Sequence, residues 1–343
     1  MNQSTACRIL RHAALLLVLP ALTVASVSPA SGVVTGPVTE SPGTVTTTVH
    51  DAATGRPARA CVRLVPLDRD RYTWVSLGER QLGMAGGCTD EQGAIVADGV
   101  EPGRYQLFAA PRDRQHHGQQ WVGARGGTGQ RHLAAVVAVR AGATAAAPQI
   151  RLDPPGDITG TLTGAATGQP VQGVYIGVVP MVPHPKYTPE PISDPAGRYT
   201  VTGLGPYRWA LQFFGPRTAT QWSGGVGNAM LARTVQVRSG QTVTLDQVLR
   251  APTMVVGTVL VDELPSYSPV IAFNAVTGDV TGVEYVGNTY QLPVLPGQVI
   301  KLRCDCSYRS IQWHPAAQTF TEAALVWVGW TPVTIDFDLT ATS

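Results

Sequence analysis

The chain has 343 residues, 44% of them hydrophobic and only 14% charged, with 37 glycines and 27 prolines. So many turn formers argue against a protein of long helices and for many short strands, in two or three domains by length. The formal charge of +2 falls to about zero without Arg8 and Arg11 of the leader, which removes the basic balance that nucleic acid or an acidic membrane would need.

Residues 1–30 read as a secretory signal peptide. A short basic start, "MNQSTACRILRH", precedes the apolar run "AALLLVLPALTVA" and the small-residue stretch "SVSPA". The run is too short for a membrane span, and Cys7 precedes it where a lipidated cysteine would follow. Residues 31–43, "SGVVTGPVTESPG", read as a flexible lead-in. No second long apolar run follows, so the processed chain is expected to be secreted and extracellular, without a membrane span.

At 45–66, "VTTTVHDAATGRPARACVRLVP" gives an alternating strand, an A-A-T-G-x-P turn and a second strand. "ITGTLTGAATGQPVQGVYIGVVP" at 158–180 repeats it. Gly55 and Gly168 allow positive φ in the turn, and Pro57 and Pro170 fix φ where the next strand starts. A third copy, "MVVGTVLVDELPSYSPVIAFNAV" at 254–276, keeps the strands and loses the turn signature. The middles align too: "TDEQGAIVADGVEPGRYQLFA" at 89–109, "SDPAGRYTVTGLGPYRWALQF" at 193–213 and "VGNTYQLPVLPGQVIKLRC" at 286–304. Each reads as a turn, a short alternating strand, a tight Gly/Pro turn and a longer strand, which is the pattern of a hairpin.

Each copy then carries Gln-Trp, with Trp121, Trp222 and Trp313 spaced 101 and 91 residues apart, and closes with strand, turn and strand. The reading is all-β: three tandem Ig-like or prealbumin-like β-sandwiches of about seven strands each. Repeat 1 spans 44–154, repeat 2 155–251, and a degenerate repeat 3 252–343.

The stretch "GTLTGAATGQPVQGVYIGV…DPAGRYTVTGLGPYRWALQF…QWSGG" resembles the carboxypeptidase regulatory-like domain. This transthyretin-related sandwich is also grouped with starch-binding-like and collagen-adhesin B-type folds. The resemblance implies a secreted actinobacterial-type protein of tandem sandwiches, and it implies a fold more firmly than a function. Some collagen-adhesin B-type relatives form a Lys–Asn isopeptide bond from an early strand. Lys186 and Lys301 occupy no early strand, so no such crosslink is expected.

Cys61, Cys88, Cys304 and Cys306 remain after processing, and an exported protein favours disulfides. Cys61 and Cys88 are positioned to bridge two strands of repeat 1. The C-x-C of Cys304 and Cys306 is compatible with a local bridge, a free pair or an intermolecular link.

No G-x-S-x-G, H-E-x-x-H or close carboxylate pair marks a catalytic centre, so the chain is read as non-enzymatic, with α-amylase-like hydrolysis as the alternative. Asp336 and Asp338 alternate with Val333, Ile335, Phe337 and Leu339, which puts them on the solvent face of a strand. Asp90 and Asp194 start D-x-x-G turns. His116 and His117 are adjacent and project apart, so neither a metal nor a cofactor is expected.

Binding remains. Tyr72, Trp74 and Tyr187 lie in insertions that differ between copies and are the carbohydrate-binding candidates. Trp327 and Trp330 are assigned to the core or a sheet face. The constancy of Gln-Trp makes Trp121, Trp222 and Trp313 structural anchors, each plugging one end of its sandwich. The expected function is a non-catalytic binding or adhesion protein, or alternatively a polysaccharide-binding accessory of a glycan-degrading system. Its partner would be an extracellular polysaccharide or a cell-surface or matrix protein.

Overall fold

The computed structural model describes residues 41–70, 87–179, 191–215, 218–264, 268–306 and 311–340. The signal segment and residues 31–40 of the lead-in lie outside them. The described residues belong to one compact unit and are almost entirely β.

The first copy holds β1 (Gly43–Asp51), β2 (Ala60–Pro66), β3 (Ala94–Val100), β4 (Gly103–Pro111), β5 (Gln120–Val122), β6 (Gly127–Thr128), β7 (Val136–Val139), β8 (Thr144–Ala146) and β9 (Ile150–Leu152). The second holds β10 (Gly156–Gly164), β11 (Tyr175–Gly177), β12 (Arg198–Leu204), β13 (Arg208–Trp209), β14 (Gln212–Gly215), β15 (Thr218–Trp222), β16 (Val235–Gln236), β17 (Thr242–Thr244) and β18 (Gln247–Leu249). The third holds β19 (Thr253–Leu260), β20 (Pro269–Asn274), β21 (Val280–Tyr285), β22 (Thr289–Val294), β23 (Gln298–Cys304), β24 (Gln312–Trp313), β25 (Val326–Val328), β26 (Val333–Thr334) and β27 (Phe337–Asp338).

Every copy uses the same plan. In a first sheet the long opening strand pairs antiparallel with the D-x-x-G strand (β1 with β3, β10 with β12, β19 with β22) and parallel with a closing strand broken in two. The second sheet runs β2-β4-β5-β6 with β7 on β4 in copy one, and β21-β20-β23-β24 with β25 on β23 in copy three. Copy two divides it into β11-β14-β15 and β13-β16. The broken closing strand and the short edge pieces raise the number of segments above the seven expected.

The hairpin reading of the middle segments is corrected. β3 pairs with β1 while β4 pairs with β2, so the tight turn at 100–103 crosses from one sheet to the other. The core gives the reason. Val45, Val49, Ile95 and Ala97 of the first sheet face Val62, Leu64, Tyr105 and Leu107 of the second in one apolar cluster, so the chain must span the gap between layers. Each such aliphatic side chain contributes about 1.5–3 kcal/mol by leaving water.

The A-A-T-G turns form as the spacing implies: Gly55 and Gly168 sit at φ 69° and 66°, and Gly55 N–H and Gly168 N–H donate to the carbonyls of Asp51 and Gly164. Copy three has not lost this turn but moved it. "NAVTGD" links β20 to β21, with Gly278 at φ 64° and its N–H on the Asn274 carbonyl. Asn274 Oδ1 accepts from the amides of Val276 and Thr277, as Asp51 Oδ1 does from Ala53 and Thr54.

Cys61 and Cys88 are disulfide-bonded, and Cys88 pairs beside β2 in the same sheet, closing a loop with a sequence separation of 27. Cys304 and Cys306 are bridged to each other, and both are fully buried in the core of copy three.

Candidate functional site

The tryptophans of the three Gln-Trp pairs sit on the outer face of the second sheet, toward the neighbouring copy, and not at the end of a sandwich, while Gln221 and Gln312 bond carbonyls of their own copy. Alternation decides this: Val122 points into the core of its own copy, so Trp121 points out. Trp121, opposite Phe108, joins the apolar cluster of copy two, and its indole N–H reaches the Val178 carbonyl at 3.4 Å. The Tyr207 hydroxyl donates to Asp153 at 2.6 Å and lies 2.7 Å from Gln120 Oε1, and burial, with Asp153 beside it, raises that phenol above its ordinary pKa.

Trp222 lies opposite Gln212, whose amide donates to the Val280 carbonyl of copy three at 3.1 Å. Asp279 of copy three accepts from the Ala229 amide at 2.9 Å. Trp313 lies opposite Arg303, and Arg303 Nη1 donates to the Arg69 carbonyl of copy one at 3.0 Å. Arg69 in turn donates to the Thr277 carbonyl at 2.7 Å, and Asp70 accepts from the Phe320 amide at 2.6 Å. Copy one therefore packs on two, two on three, and three back on one. Each time the receiving segment follows the second strand of the next copy.

The third of these interfaces carries the most charge. Arg303 is fully buried between the rings of Phe273 and Trp313, 5.2 and 5.4 Å from their centroids, and pairs with Asp305 at 2.7 and 2.8 Å. A cleft of about 310 Å³ opens beside it, between Asp68, Arg69 and Asp70 of copy one and Thr277, Gly278 and Phe320 of copy three. Burial pushes the Asp70 carboxyl up, against the Phe320 amide, which pulls it down. Among the described residues no group of three or more His, Cys, Asp or Glu side chains is placed to hold a metal.

Tyr72, Trp74 and Tyr187 lie outside the described residues. The acidic candidates are tied to the backbone: Asp90 and Asp194 accept from the amides of their own turns, and Asp336 accepts from the Thr258 amide and hydroxyl, both at 2.7 Å. His116 and His117 go to different carboxylates, Asp113 at 2.7 Å and Asp51 at 3.0 Å. Lys301 spans to the carbonyls of Phe320 and Thr321.

Of the two placements expected for Trp327 and Trp330 the core is excluded, since they are 62% and 75% exposed: Trp327 stands on the outer sheet face of β25 and Trp330 in the turn after it. In "LVWVGW" the buried Val326 and Val328 face inward, so alternation alone turns Trp327 to solvent. That signal was present in the sequence. Among the described residues no helix is long and apolar enough to cross a membrane.

No family model matches the chain, and no curated protein matches it. The resemblance to the carboxypeptidase regulatory-like domain therefore rests on the motifs alone. Among solved structures, the Bacillus anthracis TIE protein is 10% identical with a TM-score of 0.24, covering 87% of this chain and 51% of that one. This chain thus spans about half the length of that structure. The minor pilin GBS52 of Streptococcus agalactiae is 16% identical with a TM-score of 0.24, covering 65% of this chain and 99% of that one. The shaft pilin SpaA of Lactobacillus rhamnosus GG is 10% identical with a TM-score of 0.20, covering 62% and 98%. Scores this low carry no inference about this chain.

Proposed function

We propose that the chain is a secreted, non-catalytic binding or adhesion protein. Three β-sandwich domains, 44–154, 155–251 and 252–343, follow a cleaved signal peptide and belong with the carboxypeptidase regulatory-like sandwiches. The observation that supports this reading is the set of interfaces in which each copy covers the Gln-Trp face of the one before. Such mutual burial fixes the domains relative to one another and leaves outer faces such as the exposed Leu325, Trp327 and Trp330 as the surface for a partner. The partner would be an extracellular polysaccharide or a cell-surface or matrix protein.

The polysaccharide reading is favoured by the two exposed tryptophans of copy three. Capture of the full processed chain on a glycan and matrix-protein array tests the proposal. Reproducible retention on one ligand class, without turnover of that ligand, is the expected result. Release of reducing sugar from starch would overturn the non-catalytic assignment.

A further inference from the structure

We infer that Trp327 and Trp330, backed by Arg250, form a stacking platform for a neutral polysaccharide. The inference rests on the binding role proposed above and names its site and ligand class.

The first support is a comparison inside the chain. The ladders place Val139 opposite Gly103, Ala138 opposite Arg104, and Gln236 opposite Arg208, as Val328 and Trp327 stand opposite Gln298 and Val299. Ala138, Gln236 and Trp327 are thus equivalent, all on the outward side of the same strand. Three residues on along the chain stand Ala141, Ser239 and Trp330, all exposed in the turn that follows. The fold is built twice with small or polar residues at both positions, so it does not require an aromatic ring at either. Copy three places indoles at both, and exchanges the cross-strand arginine for Val299.

The second support is the local geometry. The Arg250 guanidinium lies 5.6 Å from the Trp330 ring centroid and is itself held by the Gly225 carbonyl at 3.0 Å. This holds a cation over one face of the indole. Gly329 separates the two tryptophans. A Cβ there would meet Trp327 Nε1 at 3.5 Å, so the Trp327 indole lies along the turn toward Trp330.

The third support is size. With Leu325, also 68% exposed, the patch offers roughly 300–450 Å² of apolar surface, about half of the ~800 Å² that each side of an ordinary protein interface buries. A pyranose presents a flat face of C–H groups that matches the electron-rich face of an indole, and its hydroxyls match the guanidinium donors. A neutral chain of such rings needs only two stacking points. The near-zero charge of the processed protein gives no reason for a polyanion.

The test uses the full processed chain in pull-downs on insoluble cellulose, chitin and starch and, in parallel, on immobilised matrix proteins, with Trp327→Ala, Trp330→Ala and the control Val136→Ala at an exposed apolar site of copy one. Thermal unfolding checks that every variant is folded. The expected result is retention of the wild type on at least one polysaccharide, a loss of about tenfold or more in affinity for each tryptophan variant, and none for Val136→Ala. Retention that survives both tryptophan substitutions overturns the platform and leaves the wider binding role standing. No retention on the polysaccharides, with matrix-protein capture that the tryptophan variants lose, overturns the glycan assignment in favour of a protein-binding face. Capture on neither support overturns both the platform and the binding role.

Discussion

The hydroxyl of Tyr290 donates to the main-chain carbonyl of Ile335 at 2.6 Å, at the point where the closing strand of copy three breaks between β26 and β27. Tyr199 serves the Leu245 carbonyl at the same break in copy two. Opposite each tyrosine stands a glycine, Gly257 or Gly160, where a Cβ would collide with that carbonyl oxygen. Copy one solves the problem differently. Thr47 replaces the glycine, Ile95 the tyrosine, and the Thr47 hydroxyl donates to Pro148 O at 2.8 Å. Its break holds one residue more, four steps from Ala146 to Ile150 against three from Thr334 to Phe337, which makes room for a side chain.

Tyr290→Phe is therefore expected to lower stability by about 1–2 kcal/mol, because a largely buried carbonyl loses its donor. Gly257→Ala is expected to cost about 1–3 kcal/mol through displaced backbone. Urea unfolding midpoints at unchanged slope check both. A Gly257→Ala variant as stable as the wild type would refute the crowding at this break.

Asp51 supplies a prediction in pH. Its carboxylate accepts from the Thr54 amide at 2.6 Å, the Thr54 hydroxyl at 2.8 Å and the Ala53 amide at 3.0 Å, and faces His117 Nε2 at 3.0 Å. The Thr54 amide first, then its hydroxyl and His117, hold the carboxyl down at about 2. A group held below its unfolded value, about 3.9, binds fewer protons when folded. Its contribution is complete above that value and is lost as pH falls toward about 2. Asp51→Asn copies Asn274, which makes the same turn without a titrating group. The variant is expected to show a shallower loss of stability between about pH 4 and pH 2 than the wild type, read from denaturant midpoints across that range.

Much of this architecture was legible because alternation and turn chemistry are local. The A-A-T-G-x-P turns, the three copies and the outward aspartates follow from period two and from glycine at positive φ. Which sheet receives each strand was not legible. The link from β3 to β4 looks like a hairpin in sequence, and only the shared burial of Ile95 and Leu107 in one core shows that it crosses between layers. The Gln-Trp faces were misplaced for a related reason. Trp121 is buried by residues of copy two, and no pattern within a copy reports that, whereas Trp313 packs on Phe273 and Phe320 of its own copy. Trp327 was left between core and sheet face although its alternation with Val326 and Val328 already pointed to the face, because a lone tryptophan is more often buried than displayed.

The Arg303–Asp305 pair should behave as a buried ion pair. Asp305→Leu removes the carboxylate that pairs with the fully buried guanidinium, and is expected to cost about 3–5 kcal/mol. Replacing both, Arg303→Met with Asp305→Leu, removes the charge with its partner and is expected to cost less than either single change. Equilibrium unfolding of the four proteins in the cycle checks this. A double variant worse than both singles would show that the bond from Arg303 to the Arg69 carbonyl of copy one outweighs the ion pair.

One residue type in two settings gives the last prediction. Trp313 is fully buried among Phe273, Phe320 and the Arg303 guanidinium, whereas Trp327, fourteen residues on, is 62% exposed. Trp313→Ala opens a cavity at the interface of copies three and one and is expected to cost about 3–5 kcal/mol. Trp327→Ala removes a ring that water already surrounds and is expected to stay within about 0.5 kcal/mol of the wild type. Tryptophan emission separates the two further: unfolding red-shifts the Trp313 contribution, which starts in an apolar site, while that of Trp327 starts near the solvent-exposed limit. If Trp327→Ala destabilised the fold as much as Trp313→Ala, the ring would be serving the sandwich, and its exposure would no longer point to a partner.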